Sequence, residues 1–156
     1  MKKSSLIIIV FIVVVCIILS VIWFGIKFSP GSYSNVPKYE FNVSEKELIN
    51  KIEELRILEP NLKLPIELSR ELKLIDRRDN HWYFFYIYYP KEKEIIKCWV
   101  RDNTKNSTDL AFIGIRYEYG EWNSIERDFD EDEKVIQIKK FEERFVNKLY
   151  NLINQK

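Results

Sequence analysis

The hydrophobic pattern begins with an almost unbroken apolar run over residues 6–26 (LIIIVFIVVVCIILSVIWFGI), with Lys2 and Lys3 before it and Lys27 after it. As a helix that rises about 1.5 Å per residue, this run spans about 30 Å, the thickness of a bilayer's hydrocarbon core. The pattern predicts a single transmembrane helix that anchors the chain through residues 1–27. A cleaved signal peptide is the alternative, but its apolar region is normally only about 7 to 15 residues long.

The charges beside this run predict its orientation. The amino terminus together with Lys2 and Lys3 outnumbers Lys27 and Lys38 on the other side. Because positive charges stay preferentially in the cytoplasm, we expect a cytoplasmic N-terminus and an extracytoplasmic C-terminal domain at the cell membrane. The excess is small, three charges against two, so the reversed topology is kept as an alternative.

Residues 28–41 (FSPGSYSNVPKYEF) show neither a helical nor a strand period and contain Pro30, Gly31 and Pro37. This composition predicts a tether with a reach on the order of 20 Å, which would hold the rest of the chain close to the lipid headgroups. Residues 42–156 then form one globular domain, since their number lies within the usual range of about 100 to 150 residues.

The domain begins with a predicted helix. Ser44 and Glu47 can form a capping box, and apolar residues then recur at helical spacing, namely Leu48, Ile49, Ile52 and Leu55. Pro60 and Pro65 end this pattern. Residues 62–75 fit either a second helix or a short strand that leads into the turn at residues 77–80.

Three segments have strand character: residues 81–89, 94–101 and 109–119. The first is apolar or aromatic on both faces, as in a central strand that is covered on each side. The third alternates apolar and polar residues. Since they follow one another through short connections, they predict an antiparallel meander of three strands, or of four if residues 62–75 contribute one.

A long amphipathic helix closes the chain. Five carboxylates lie within residues 128–133, where a helix N-terminus favours negative charge. Apolar residues follow at spacings of three or four: Ile138, Phe141, Phe145, Leu149 and Leu152. The predicted fold is therefore α+β, with the transmembrane helix, a helix, a three- or four-stranded antiparallel sheet, and a long C-terminal helix packed on the sheet.

The charge balance excludes one class of partner. The chain has 25 basic and 24 acidic residues, and without Lys2, Lys3 and Lys27 the net charge of residues 28–156 is about −2. A weakly acidic domain without a basic stripe is a poor binder of nucleic acid. Cys98 is the one cysteine of the domain and cannot form an internal disulfide.

The sequence predicts no catalytic, cofactor or metal site. The turn at residues 90–93 sets a register that places Cys98 opposite Phe85, about 13 Å from His81 and too far for a thiol–imidazole pair. A calcium loop of the EF-hand type that starts at Asp128 would lack its central glycine and its final glutamate.

Aromatic residues are frequent, since Phe, Trp and Tyr make up 15% of the chain. Trp82, Trp99 and Trp122 lie in or beside the predicted sheet. Core packing explains most aromatic residues, whereas Tyr and Trp on a surface are typical of protein-binding hot spots. We expect Trp122 to belong to such a surface, with Trp99 and Trp82 as further candidates. Trp122 follows Gly120 and lies outside both the strands and the apolar stripe of the last helix.

Together these features predict a membrane-tethered interaction or accessory domain that binds a protein partner outside the cytoplasm, while residues 6–26 contact the lipid bilayer. No cofactor is expected. The alternative is a binder of a small apolar or lipid-like ligand, held between the sheet and the C-terminal helix. An enzyme is the least expected class, because no catalytic set of side chains is recognised.

Overall fold

The computed structural model describes residues 12–20, 33, 35–104 and 106–155. The chain divides into two compact units, Met1–Ser34 and Asn35–Lys156. Residues 12–20 are helical, and no helix among the described residues is both long enough and apolar enough to cross a bilayer. Most of the predicted span, residues 6–26, lies outside the described residues, so the span stays a prediction.

The second unit is an α+β domain, as predicted. Its first half contains strand β1 (Lys38–Phe41), helix α1 (Glu45–Leu58), a 3₁₀ turn (Pro60–Leu62), helix α2 (Ile66–Leu72) and strand β2 (Arg77–Asp79). Its second half contains strands β3 (Trp82–Tyr89), β4 (Glu94–Thr104), β5 (Ser107–Tyr117) and β6 (Trp122–Ser124), followed by the C-terminal helix. This helix consists of α3 (Glu131–Phe141), a π-helical turn (Glu142–Val146) and α4 (Asn147–Asn154).

All strand pairs of the sheet are antiparallel, in the order β1-β5-β4-β3-β2. β6 pairs with the same edge of β5 as β1 does, β1 opposite residues 108–111 and β6 opposite residues 114–116. The predicted meander of β3, β4 and β5 is confirmed. The predicted number of strands is too low, because the described residues also form β1, β2 and β6, which are too short to show a period.

Local signals explain how the domain begins. Ser44 caps α1 as predicted, since its Oγ accepts a hydrogen bond from the Glu47 N–H at 3.3 Å. β1 lies inside residues 28–41, which the sequence assigns to the tether, so the sheet starts earlier than expected. Residues 62–75 form the end of the 3₁₀ turn and α2, and contribute no strand.

Two side chains close the edge of β3 beyond the end of β2. The Tyr86 N–H donates to Asp76 Oδ1 at 3.2 Å, and Arg56 Nη2 donates to the Tyr86 carbonyl. Arg56 is 5% exposed, and its Nη1 lies 2.6 Å from a carboxylate oxygen of Asp76 and 2.6 Å from one of Glu53. Burial lowers the pKa of Arg56, but the two carboxylates outweigh this effect and raise the pKa above its ordinary value.

The C-terminal helix packs on one face of the sheet through phenylalanine rings, as predicted. Ring centroids are 4.7 Å apart for Phe112 and Phe141, 5.6 Å for Phe141 and Phe145, and 6.1 Å for Phe85 and Phe145. None of these four side chains is more than 1% exposed. The four rings pack between the sheet and the helix, and a small apolar ligand in this region stays a prediction.

The same helix also holds the first strand. The rings of Phe41 and Tyr150 stack with centroids 4.2 Å apart, and the Tyr150 hydroxyl donates to the Glu40 carbonyl at 2.7 Å. Tyr39 lies against Phe141, with centroids 5.8 Å apart. The first and the last elements of the domain are therefore packed together.

Phe145→Ala should lower the free energy of unfolding by about 3 to 5 kcal/mol, because it leaves a cavity beneath the sheet. Lys148→Ala is the control on the same helix, since Lys148 pairs with Glu59 near the surface, where an ion pair contributes at most about 1 kcal/mol. Urea unfolding of the full chain, followed by tryptophan fluorescence, measures both losses. Equal losses would contradict the assignment of the buried side of the helix.

Candidate functional site

The face of the sheet opposite the C-terminal helix is built differently. Paired residues share a face, and the register aligns Arg77 with Phe84 and Lys97 with Tyr86. We call this surface the aromatic–cationic face; it consists of Arg77, Trp82, Phe84, Tyr86, Lys97, Trp99, Arg101, Arg116 and Trp122. Leu68 of α2 and Leu74 pack against one end of it, next to Tyr86.

The three tryptophans selected from the sequence all lie on this face. The Trp82 and Trp99 rings are in contact, with centroids 6.3 Å apart, and Trp99 is only 2% exposed. Trp122 is half-buried and lies against a different ring, that of Tyr86, with centroids 6.1 Å apart. Their membership of a partner-binding surface stays a prediction, and the half-buried position of Trp122 is compatible with it.

Basic side chains lie over these rings. Lys97 Nζ is 5.2 Å from the centroid of the Phe84 ring and 5.8 Å from that of Trp122. Arg116 Cζ is 6.0 Å from the Trp122 centroid. These are cation–π distances, so the electron-rich faces of the rings partly replace the water that the cations lose.

The cations of the face lack ion pairs in the described part of the chain, and even Asp109, which is opposite Arg101 in the register, does not pair with it at ion-pair distance. None of Arg77, Lys97, Arg101 and Arg116 forms an ion pair with a carboxylate of the described residues. The Nε atoms of Arg101 and Arg116 are buried, and neither has a hydrogen-bond partner in the described part of the chain. Burial, with repulsion from Arg77 as a smaller effect, lowers the pKa of Lys97. Arg77 is exposed, whereas Lys97, Arg101 and Arg116 are half-buried, and for these three the loss of water without an ion pair is unfavourable.

Cations on the helix side of the sheet are paired. Lys140 Nζ lies 2.5 Å from Oε2 of Glu94, a residue that is 3% exposed. Arg144 Nη2 lies 2.7 Å from Glu92 Oε1. These basic residues on the helix side therefore lie in ion pairs, whereas those of the aromatic–cationic face form none among the described residues.

Gly114 allows β6 to carry Trp122 onto the face. A Cβ atom at Gly114 would lie 2.5 Å from the Asn123 carbonyl oxygen, so any other residue would push β6 away from β5. The resulting pairing sets Trp122 opposite Arg116. Both side chains are thus held by backbone hydrogen bonds of a sheet and not by a loose loop.

Sequence reasoning does not identify the cations of this face. The signal that could have done so is Lys97 itself, which interrupts the apolar strand segment IIKCWV. Arg116 and Trp122 meet only through β6, and a strand of three residues has no period to recognise.

The residues that the sequence analysis sets aside lie elsewhere. Cys98 is opposite Phe85, as predicted, and is fully buried on the helix side, where burial raises the pKa of its thiol well above the ordinary value. His81 is exposed in the turn before β3. In the described part of the chain, no group of three or more His, Cys, Asp or Glu side chains is placed to hold a metal ion.

Comparisons of the chain with protein-family models, with curated proteins and with solved structures give no match. The geometry of the aromatic–cationic face is therefore the basis for the functional argument.

Lys97→Met should leave the free energy of unfolding at pH 7 within about 0.5 kcal/mol of the wild type or raise it, because it removes a half-buried cation that has no anion. Lys140→Met is the matched control. It leaves the buried Glu94 carboxylate uncompensated and should cost about 3 kcal/mol. Urea unfolding of the two variants of the full chain measures the difference, and a larger loss for Lys97→Met would contradict this description of the face.

The pH dependence of stability gives a second measure of the same cation. The pKa of Lys97 is lowered in the folded state, so the unfolded chain keeps this proton to higher pH. The contribution of Lys97 to stability therefore rises as the pH increases from its folded-state pKa to its ordinary value of about 10.4, and the Lys97→Met variant should lack this rise.

Proposed function

We propose that this chain is a membrane-tethered interaction domain whose aromatic–cationic face binds a protein partner. Residues 6–26 span the cell membrane, the residues that follow tether the domain, and the domain acts on the extracytoplasmic side. The observation that carries this proposal is the set of four cations, Arg77, Lys97, Arg101 and Arg116, that form no ion pair with a carboxylate of the described residues.

The state of these cations favours binding of an anionic group. Lys97 is half-buried over the Phe84 and Trp122 rings, so it has already lost part of its hydration in the folded domain. The cost of removing it from water is therefore incurred on folding and not when a partner arrives. When a partner binds through carboxylates, their attraction to Lys97 is therefore not offset by a further cost of removing Lys97 from water.

The aromatic rings of the face supply the second property of a partner site. Tyr, Trp and Arg are the residues that dominate the energetics of protein interfaces. Trp122 lies beneath two of the cations, Lys97 and Arg116, and is only half-buried. Strands hold such a group more precisely than loops do, which suits a surface that recognises one partner.

The positive charge is local to this face. Residues 28–156 carry a net charge of about −2, so the domain as a whole does not attract anions. Five of its carboxylates lie within residues 128–133, at the start of α3. A partner is therefore recognised by its fit to one surface and not by long-range attraction to the whole domain.

The membrane anchor is supported by the apolar run and by its surroundings. The length of residues 6–26 matches the bilayer core, and lysines flank the run on both sides. The Ile, Val and Leu side chains between Ile12 and Leu19 are between 36% and 60% exposed. A helix with apolar side chains exposed all round requires an apolar environment, and lipid supplies one.

A reporter that is active only outside the cytoplasm, fused after Lys156, should be active, because the excess of positive charge precedes the apolar run. The chain should also stay in the membrane fraction after alkaline extraction. The control is a chain without residues 6–26, which should leave the membrane fraction. Activity of a reporter that works only in the cytoplasm, at the same fusion point, would contradict the orientation.

Trp122→Ala should reduce partner capture about tenfold or more in a crosslinking experiment on native membranes, because hot-spot aromatics contribute about 2 kcal/mol or more to association. Ile136→Ala is the control, since Ile136 is 63% exposed on α3 and lies outside the aromatic–cationic face. Thermal melting checks that both variants are folded. The same crosslinked products from Trp122→Ala and from the wild type would refute the assignment of the face.

A further inference from the structure

We infer that the partner presents an extended acidic segment whose carboxylates bind across Arg77, Lys97 and Arg116. This inference rests on the proposed function and names the chemistry that the same face recognises.

The three cations lie on a diagonal across the sheet. Lys97 and Arg116 belong to neighbouring strands and are offset by two residues, whereas Lys97 and Arg77 are two strands apart with an offset of two residues in the opposite direction. With about 4.8 Å between strands and about 3.3 Å per residue, the backbone distances are about 8 Å and about 12 Å.

In an extended peptide, the spacing between side chains on one side is close to the distances between these cations. Its side chains point to one side at every second residue, so carboxylates at the first and third positions are about 6.6 Å apart. A carboxylate at the seventh position lies about 13 Å beyond the third. A segment with acidic residues at its first, third and seventh positions therefore reaches Arg116, Lys97 and Arg77 in turn, and the long basic side chains absorb the remaining differences.

The surroundings of the diagonal favour a narrow chain over a flat anionic surface such as a layer of lipid headgroups. Glu118 accepts a hydrogen bond from the Tyr88 hydroxyl, two residues beyond Arg116. At the other end of the face, Asp109 is opposite Arg101 in the register. A headgroup layer would meet these carboxylates as well as the cations, whereas a single peptide chain passes between them.

The test is a titration of the full chain, in detergent micelles, with a labelled synthetic peptide that has glutamates at its first, third and seventh positions and serines elsewhere. Fluorescence anisotropy measures binding. The peptide should bind the wild type at least tenfold more tightly than it binds Lys97→Met/Arg116→Gln. The matched control is Lys139→Met/Arg144→Gln, which removes the same two types of charge from the C-terminal helix and should bind like the wild type.

Three results would overturn the inference. The first is an absence of peptide binding, or an equal loss of binding in the control. The second is competition by anionic lipid vesicles that depends on Lys97 and Arg116, since it would assign the face to a membrane surface. The third is self-association of the chain, measured by sedimentation and abolished in Lys97→Met/Arg116→Gln, since it would assign the face to a second copy.

The crosslinking experiment on Trp122→Ala separates this inference from the proposed function. A partner that is captured at the face through a segment without acidic residues would leave the proposed function standing and would refute the acidic segment. Capture that is unchanged in Trp122→Ala, together with an absence of peptide binding, would refute both.

Discussion

The buried charge of Arg56 is the constraint on which the arrangement of the layers depends. Arg56 belongs to α1 and lies over the Phe85 ring on the helix side of the sheet, whereas Asp76 ends the segment that covers part of the opposite face. The Tyr86 backbone lies between them and is bound by both. A guanidinium at this depth requires its carboxylates. The two layers therefore cannot shift independently, and the contacts that hold them also close a sheet edge that would otherwise be open.

The two faces of the sheet differ in whether their basic side chains form ion pairs. On the helix side, phenylalanine rings fill the interior, and Lys140 forms an ion pair with Glu94. On the other side, rings and cations alternate, and Arg77, Lys97, Arg101 and Arg116 form no ion pair with a described carboxylate. The face with the cations also carries a smaller core cluster, in which Leu68 and Leu74 pack on the sheet and Trp122 packs against them.

The sequence predicts the parts of this structure that repeat. The meander and the register that pairs Cys98 with Phe85 follow from alternation and a short turn, and the stripe of the last helix predicts its contact with the sheet. β1, β2 and β6 are not predicted, because their pairing is decided by tertiary contacts and not by local pattern. The same limit applies to the site. The tryptophans can be selected from the sequence. Alternation along the strand predicts on which face of the sheet Lys97 lies, but it does not predict which residues surround Lys97 there. Arg56 looks like a surface residue of an amphipathic helix until the β3 edge is known.

The packing of β1 on the C-terminal helix determines when the domain can be completed during translation. The Glu40 carbonyl is made 110 residues before Tyr150, the residue whose hydroxyl binds it. At about 5 to 20 residues per second, the ribosome takes roughly 5 to 20 s to supply that partner. In that interval Phe41 has no ring to stack on, and the nascent chain exposes a short apolar edge. The contact between the first strand and the last helix therefore forms only after that helix is synthesised.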